Sequence, residues 1–247
     1  MRETQAIIER VRRISAQIQQ LDLSVDSSLN QLQAGQTLYA RLLENTGWNP
    51  YLREQWIPVA VRAGQMIIEL TGGTYAPGQV VSILAPLGHP VPLRPHLTHL
   101  LMIAEDTMPT PLIWLARTLI ARGVAVTLVL GGLALEYPLE LLPPEVEILR
   151  GDSDWKWPDQ IDTLSWADQV IALAPSYAQM TAYEGLYYTI AQVHQRNIPD
   201  GYILGLFYQR LACGAGACQA CQIATHHGDR LICADGPAFD LKEIIFR

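Results

Sequence analysis

The sequence predicts a mixed β and α/β fold: a small antiparallel β-barrel, then a parallel sheet with covering helices, then a small cysteine-bearing module. Three observations carry that expectation. Between about residues 22 and 90 the chain runs in short apolar stretches broken by Gly and Pro, the texture of barrel strands. Beyond Pro95 it changes to continuous apolar strands alternating with helical periods, the texture of a sheet covered on both faces. All four cysteines of the 247 residues fall within the last 35.

Composition narrows the function classes. Hydrophobic residues make up 49% and charged residues 17%, enough apolar material for a sizeable core and too little charge for disorder. A net charge of −7 and the lack of any Lys/Arg block argue against nucleic acid as a partner. No apolar run approaches the roughly 18–20 residues a membrane span needs. The start, Met1-Arg-Glu-Thr-Gln-Ala, shows no signal-peptide core, so the expected compartment is the cytoplasm. In a reducing compartment, tightly spaced cysteines point to a metal or redox centre and not to disulfides.

The elements follow in order. Ile7, Val11, Ile14, Ile18 and Leu21 recur at helical spacing, which predicts an amphipathic N-terminal helix over 1–21. Thr37–Leu43, Trp56–Val61, Gln65–Leu70 and Gln79–Leu84 read as strands of a barrel occupying 22–95, with Ala63-Gly64 and Ala76-Pro-Gly78 as turns. The second region, 96–208, opens with the strand His99–Ala104. Thr110 and Pro111 then start a helix that runs to Ala121. Strands Val124–Leu130, Val146–Leu149, Gln169–Leu173 and Tyr202–Phe207 follow, with a helix over about 177–195. Residues 151–168 read as a loop with Trp155, Trp157 and Trp166 as aromatic plugs, and 209–247 as the cysteine module.

The cysteines Cys213, Cys218, Cys221 and Cys233 read C-x4-C-x2-C-x11-C. A 2Fe–2S cluster needs four thiolates around a compact centre, and this is the plant-type ferredoxin spacing. Gly214, Ala215, Gly216, Ala217 and Ala220 are small enough to let the backbone wrap a cluster and aim N–H groups at its sulfurs. A structural zinc site remains the alternative, although it more often shows two C-x2-C pairs and here there is one. His226 and His227 between the third and fourth cysteines read as solvated loop residues. His89, His96 and His99 read as linker, and Glu105-Asp106 as a turn leading into a helix.

From Arg210-Leu-Ala-Cys213 to Cys233-Ala-Asp-Gly-Pro-Ala-Phe-Asp240, the chain resembles the end of the electron-transfer subunit of B-type dihydroorotate dehydrogenase, a ferredoxin-reductase-like family of pyrimidine biosynthesis. The resemblance implies a barrel, a Rossmann-like nucleotide-binding sheet and a 2Fe–2S domain. It also implies an oxidoreductase component that relays electrons from a catalytic flavoenzyme subunit through the cluster to FAD and on to NAD. Ala34-Gly35-Gln36 and Ala85-Pro86-Leu87-Gly88 match the family's barrel. For FAD the resemblance leaves Arg53 and the turn Gly72-Gly73-Thr74, since Gln55-Trp56-Ile57-Pro58 stands where the family carries Arg-Pro-x-Ser. For NAD, Ala104-Glu105-Asp106-Thr107-Met108 replaces the family's glycine-rich turn and Leu173-Ala174-Pro175 its Cys-Gly-Pro, so NAD binding is expected to be lost. Two other readings stay open: a subunit of another NAD(P)-linked reductase complex, or a non-catalytic assembly subunit with a structural metal. In each, the N-terminal helix and the three Trp of 151–168 would suit docking. No substrate-transforming residue is expected in this chain.

Overall fold

The computed structural model describes residues 1–43, 53–152, 154–195 and 197–246. The stretch Trp48-Asn-Pro-Tyr-Leu that leads to Arg53 lies outside the described residues.

The expected N-terminal helix is instead a β-hairpin of β1 (Arg2–Arg13) and β2 (Ile18–Val25). This correction has a physical reason. The register of β1 against β2 shifts between Ile8 and Arg10, and such a bulge resets the phase of alternation. The turn at Ser15 resets it again; the Ser15 hydroxyl accepts the amides of Gln17 and Ile18 at 3.2 and 3.1 Å. Two interrupted period-two patterns thus imitate a helical period. The residues that enter the core are Ala6, Ile8, Ile18, Leu21, Leu23 and Val25, whereas Ile7 is 45% exposed. The run of Ile and Val was the better guide, since β-branched side chains fit a pleated surface.

Four more strands complete the barrel: β3 (Thr37–Leu42), β4 (Glu54–Arg62), β5 (Gln65–Thr71) and β6 (Val80–Leu87). Their order is β1-β2-β5-β4-β3-β6, closed by pairing of β6 with β1. Ile8, Leu38, Trp56, Ile68 and Ile83 fill the interior.

The second region builds one six-stranded sheet from β7 (His99–Glu105), β8 (Ala125–Gly131), β9 (Glu147–Arg150), β10 (Gln169–Leu173), β11 (Ile203–Leu206) and β14 (Ala238–Asp240). The first five are parallel, and β14 closes the edge antiparallel to β11. Helices α1 (Thr110–Ile120), α2 (Gln160–Trp166) and α3 (Gln179–Val193) cover it. One apolar core lies between the sheet, α1 and the barrel; the other joins the sheet, α3 and the C-terminal residues. Both faces are covered, which explains why β10 and β11 are buried throughout. The stretch 151–168 contains α2 and is not purely a loop. Trp155 and Trp157 are each 6% exposed, so they plug the core and offer nothing to a partner; Trp166 is 36% exposed.

Polar contacts lock the barrel to the sheet. The buried Glu69 of β5 accepts hydrogen bonds from the Thr110 hydroxyl at the start of α1, from the Tyr137 hydroxyl at 3.0 Å and from the Gln20 amide at 3.1 Å. Arg117 of α1 donates to the Val59 carbonyl of β4 at 2.9 Å and to the Leu141 carbonyl at 2.8 Å. Charged groups satisfied this way hold their geometry, because an unpaired partner would be left buried.

Candidate metal centre

Between β11 and β14 the chain leaves the sheet to form the cysteine loop, the hairpin β12 (Gln222–Thr225) and β13 (Gly228–Leu231), and the single turn α4 (Ile232–Asp235). The hairpin accounts for the long last spacer of the cysteine pattern. Gln222 pairs with Leu231 and Thr225 with Gly228, so the arms return Cys233 to Cys221. Their Sγ atoms stand 3.4 Å apart. Two thiolates at ~2.3 Å on one tetrahedral metal would be about 3.8 Å apart, so this pair is placed to share a metal atom. Cys221 and Cys233 are buried, Cys213 is half-buried and Cys218 is exposed. Among the described residues, no three His, Cys, Asp or Glu side chains gather closely enough to hold a single ion.

Backbone amides supply the second half of the site. Ala215 and Cys218 each direct an N–H to Cys213 Sγ at 3.4 Å, and Gly216 directs one to Cys233 Sγ at 3.2 Å. These donors hold the Cys213 thiol down to about 6, first through Ala215 and then through Cys218. Burial pushes Cys233 up to about 11, helped by the neighbouring Cys221 thiol. Gly214 has φ +66°, and a Cβ there would lie 2.6 Å from Cε2 of Tyr39, so glycine is required on both counts. Barrel and loop are also joined by the Gly88 amide on the Cys233 carbonyl at 3.2 Å and the His89 amide on the Gly236 carbonyl at 2.6 Å. The donor set of four cysteines with inward amides therefore fits an iron–sulfur cluster. His226 and His227 stand exposed at the hairpin turn, as expected for solvated residues.

The residues expected for FAD do not gather in the same way. Arg53 donates to Glu3 Oε1 at 2.6 Å and to Ser82 through both its carbonyl and its hydroxyl, each at 3.0 Å. Gly72 and Gly73 have positive φ, and their carbonyls, not their amides, are engaged by the Gln19 side chain. Thr74 is exposed beside them. Two cavities of about 410 and 360 Å³ flank β12, and neither is lined by Arg53, Gly72, Gly73 or Thr74.

At the sheet end where a nucleotide phosphate would approach α1, the structure places acids. Glu105 is 7% exposed with Oε2 unpartnered. Burial raises it to about 8, with Asp154, Asp152 and Asp106 adding repulsion. Asp106 accepts the Leu133 amide at 3.3 Å and the Tyr177 hydroxyl at 3.0 Å. The Thr110 hydroxyl is turned away to Glu69. His99 sits at the start of β7 against Trp166 and 3.5 Å from Asp168, while His89 belongs to the barrel–loop junction, so these histidines do not form one site.

Sequence reasoning missed Tyr39, which is 4% exposed, has an unpartnered hydroxyl and lies against the cysteine loop. The available signal was in β3: Leu38 and Ala40 fill the barrel, so Tyr39 had to face outward, and only a covering module could bury it.

Comparison with known proteins agrees with this geometry. Residues 209–245 match the family model of the iron–sulfur cluster binding domain of dihydroorotate dehydrogenase B. The chain is 29% identical over 191 residues to the dihydroorotate dehydrogenase B (NAD(+)) electron transfer subunit of Bacillus cereus strain B4264, covering 71% of this chain and 69% of that one. It is 27% identical over 182 residues to the same subunit of Geobacillus sp. strain WCH70, covering 68% and 66%. Among solved structures, an NADH-dependent reduced ferredoxin-NADP oxidoreductase superposes with a TM-score of 0.73 at 19% identity, covering 97% of this chain and 89% of that one. Phthalate dioxygenase reductase gives 0.58 at 16% identity, covering 87% and 70%. The fold is that of the ferredoxin-reductase-like proteins, and the resemblance to the dihydroorotate dehydrogenase B electron transfer subunits runs through most of the chain.

Proposed function

We propose that this chain is an electron-transfer subunit that holds a 2Fe–2S cluster on Cys213, Cys218, Cys221 and Cys233 and works beside a dihydroorotate dehydrogenase-like flavoenzyme in the cytoplasm. The observation that carries the reading is the hairpin that returns Cys233 to 3.4 Å from Cys221, inside a loop whose amides point at the sulfurs. A bound cluster of this kind accepts and releases one electron at a time. The chain's own part is to fix the four thiols, direct N–H groups at them and shield two of them from water. In this reading residues 209–247 are the cluster module, 22–95 the barrel and 96–208 the sheet region, with the N-terminal strands belonging to the barrel.

The relay ends without NAD. Asp106 and the buried, protonated carboxyl of Glu105 stand at the approach to α1, where a pyrophosphate would meet acid side chains in place of glycine amides. FAD is the finer question. Arg53 is engaged by Glu3 and Ser82, which favours a cluster-only relay. Anaerobic purification with iron, sulfide and flavin analysis tests this. About two irons and two sulfides per chain, a rhombic EPR signal on reduction and no releasable flavin are expected. Colourless protein with one bound zinc would overturn the relay, and stoichiometric FAD would restore the two-electron route. Calorimetry with NADH should give no binding heat.

A second reading, a subunit of another NAD(P)-linked reductase complex, is favoured by one observation: the ferredoxin-NADP oxidoreductase structure covers 97% of this chain. Copurification separates the two. A partner that oxidises dihydroorotate supports the first, and one that does not supports the second.

A further inference from the structure

The barrel contributes a side chain to the surroundings of the cysteine loop. Tyr39 of β3 points away from the barrel interior into the apolar core that also contains Leu87, Cys221 and Cys233. Its ring lies against the backbone of Gly214, the residue after the first cysteine. It is 4% exposed, and its hydroxyl has no hydrogen-bond partner. A buried hydroxyl is rarely left so, and in a native structure an orphan of this kind points to an absent group. The phenol brings one proton to donate. On the cysteine side, the groups a 2Fe–2S cluster would present are thiolate and sulfide sulfurs, which accept and do not donate.

We propose that the Tyr39 hydroxyl is a hydrogen-bond donor to a sulfur of the cluster, and that this contact from another part of the fold raises the cluster's reduction potential. The inference rests on the cluster reading above. It follows from charge: the reduced cluster carries one more negative charge than the oxidised one, so a donated O–H stabilises it more. Tyr39 is a positioning and tuning residue. It carries no electron in this account, and no covalent bond forms or breaks.

The test uses the full-length chain with its cluster assembled anaerobically. Tyr39→Phe removes only the oxygen. EPR-monitored potentiometry should show the equilibrium constant for cluster reduction falling about threefold or more, which is ~28 mV at 59 mV per tenfold for one electron. Incorporation of 3-fluorotyrosine at position 39 strengthens the donor and should shift the potential upward. Iron–sulfur stretching bands in the wild type should shift in deuterated solvent more than in Tyr39→Phe. Because the hydroxyl has no partner without the cluster, the apo variant should unfold at the wild-type temperature or above. An unchanged potential in Tyr39→Phe overturns the proposal, as does an apo variant that no longer folds, which would make the hydroxyl structural. Wild-type protein without iron would overturn the cluster reading together with this one.

Discussion

The cysteines differ in burial, and that difference makes separate predictions for substitutions of equal size. Cys218 is exposed, so Cys218→Ser should abolish the cluster's visible and EPR signals while changing apo stability by less than about 0.5 kcal/mol in urea unfolding. Cys233 is buried in apolar surroundings, and Cys233→Ser should abolish the same signals and cost ~1–3 kcal/mol as well. Glu105 makes a prediction in pH. Its folded-state pKa is raised to about 8, so folding favours the protonated carboxyl. Its contribution is therefore complete below the unfolded value near 4.5 and is lost as pH rises toward 8. Glu105→Gln should match wild type near pH 4.5 and exceed it by ~1–2 kcal/mol above pH 8, a figure discounted for partial water access. Thermal unfolding across that window checks it; a difference that does not change with pH would show Glu105 already ionised in the fold. The cysteine spacing was legible because ligand number and order are written along the chain. Tyr39 was not, since Gly214, against which its ring lies, is far along the chain and beyond the three- or four-residue reach of a turn or helix contact.

Among the elements, those with a single unbroken period were legible. β7, β8 and β10 are continuous apolar runs, and Pro111 in the first turn marks the start of α1, although Thr110 is not its cap but its first helical residue, with its hydroxyl on Glu69. The N-terminal hairpin was not, because the shift at Ile8 and the Ser15 turn break its alternation twice. This difference is testable by truncation. An appended helix could be removed, but β1 pairs with both β2 and β6, so removing residues 1–21 opens the barrel. The truncated chain should be insoluble or lose its cooperative thermal transition, and retention of a wild-type transition would contradict the closed barrel. The hairpin β12–β13 carries a parallel expectation. Gly228 at its turn has φ +101°, where a branched side chain is strained by ~1–3 kcal/mol. Gly228→Val should lower cluster occupancy, read as iron per chain, with the far-UV spectrum largely kept.

Across the whole molecule, the barrel and the sheet behave as one body because Glu69 gathers donors from β2, from α1 and from Tyr137 beyond β8. Glu69→Ala strands those donors and should cost ~2–4 kcal/mol, a fall of roughly 5–15 °C in the unfolding midpoint. Two separate transitions in calorimetry would show that the lobes are joined by this network alone. The sequence reading treats 209–247 as a tail that follows a finished domain, since nothing in Pro237-Ala-Phe-Asp240 distinguishes a sheet strand from a loop. Yet β14 is drawn from that stretch and seals β11, with Phe239 and Leu241 in the core. The ribosome therefore releases the four cysteines before it releases the strand that completes the sheet. A chain cut short after β11 would therefore lose the sheet's edge strand and all four cysteines together.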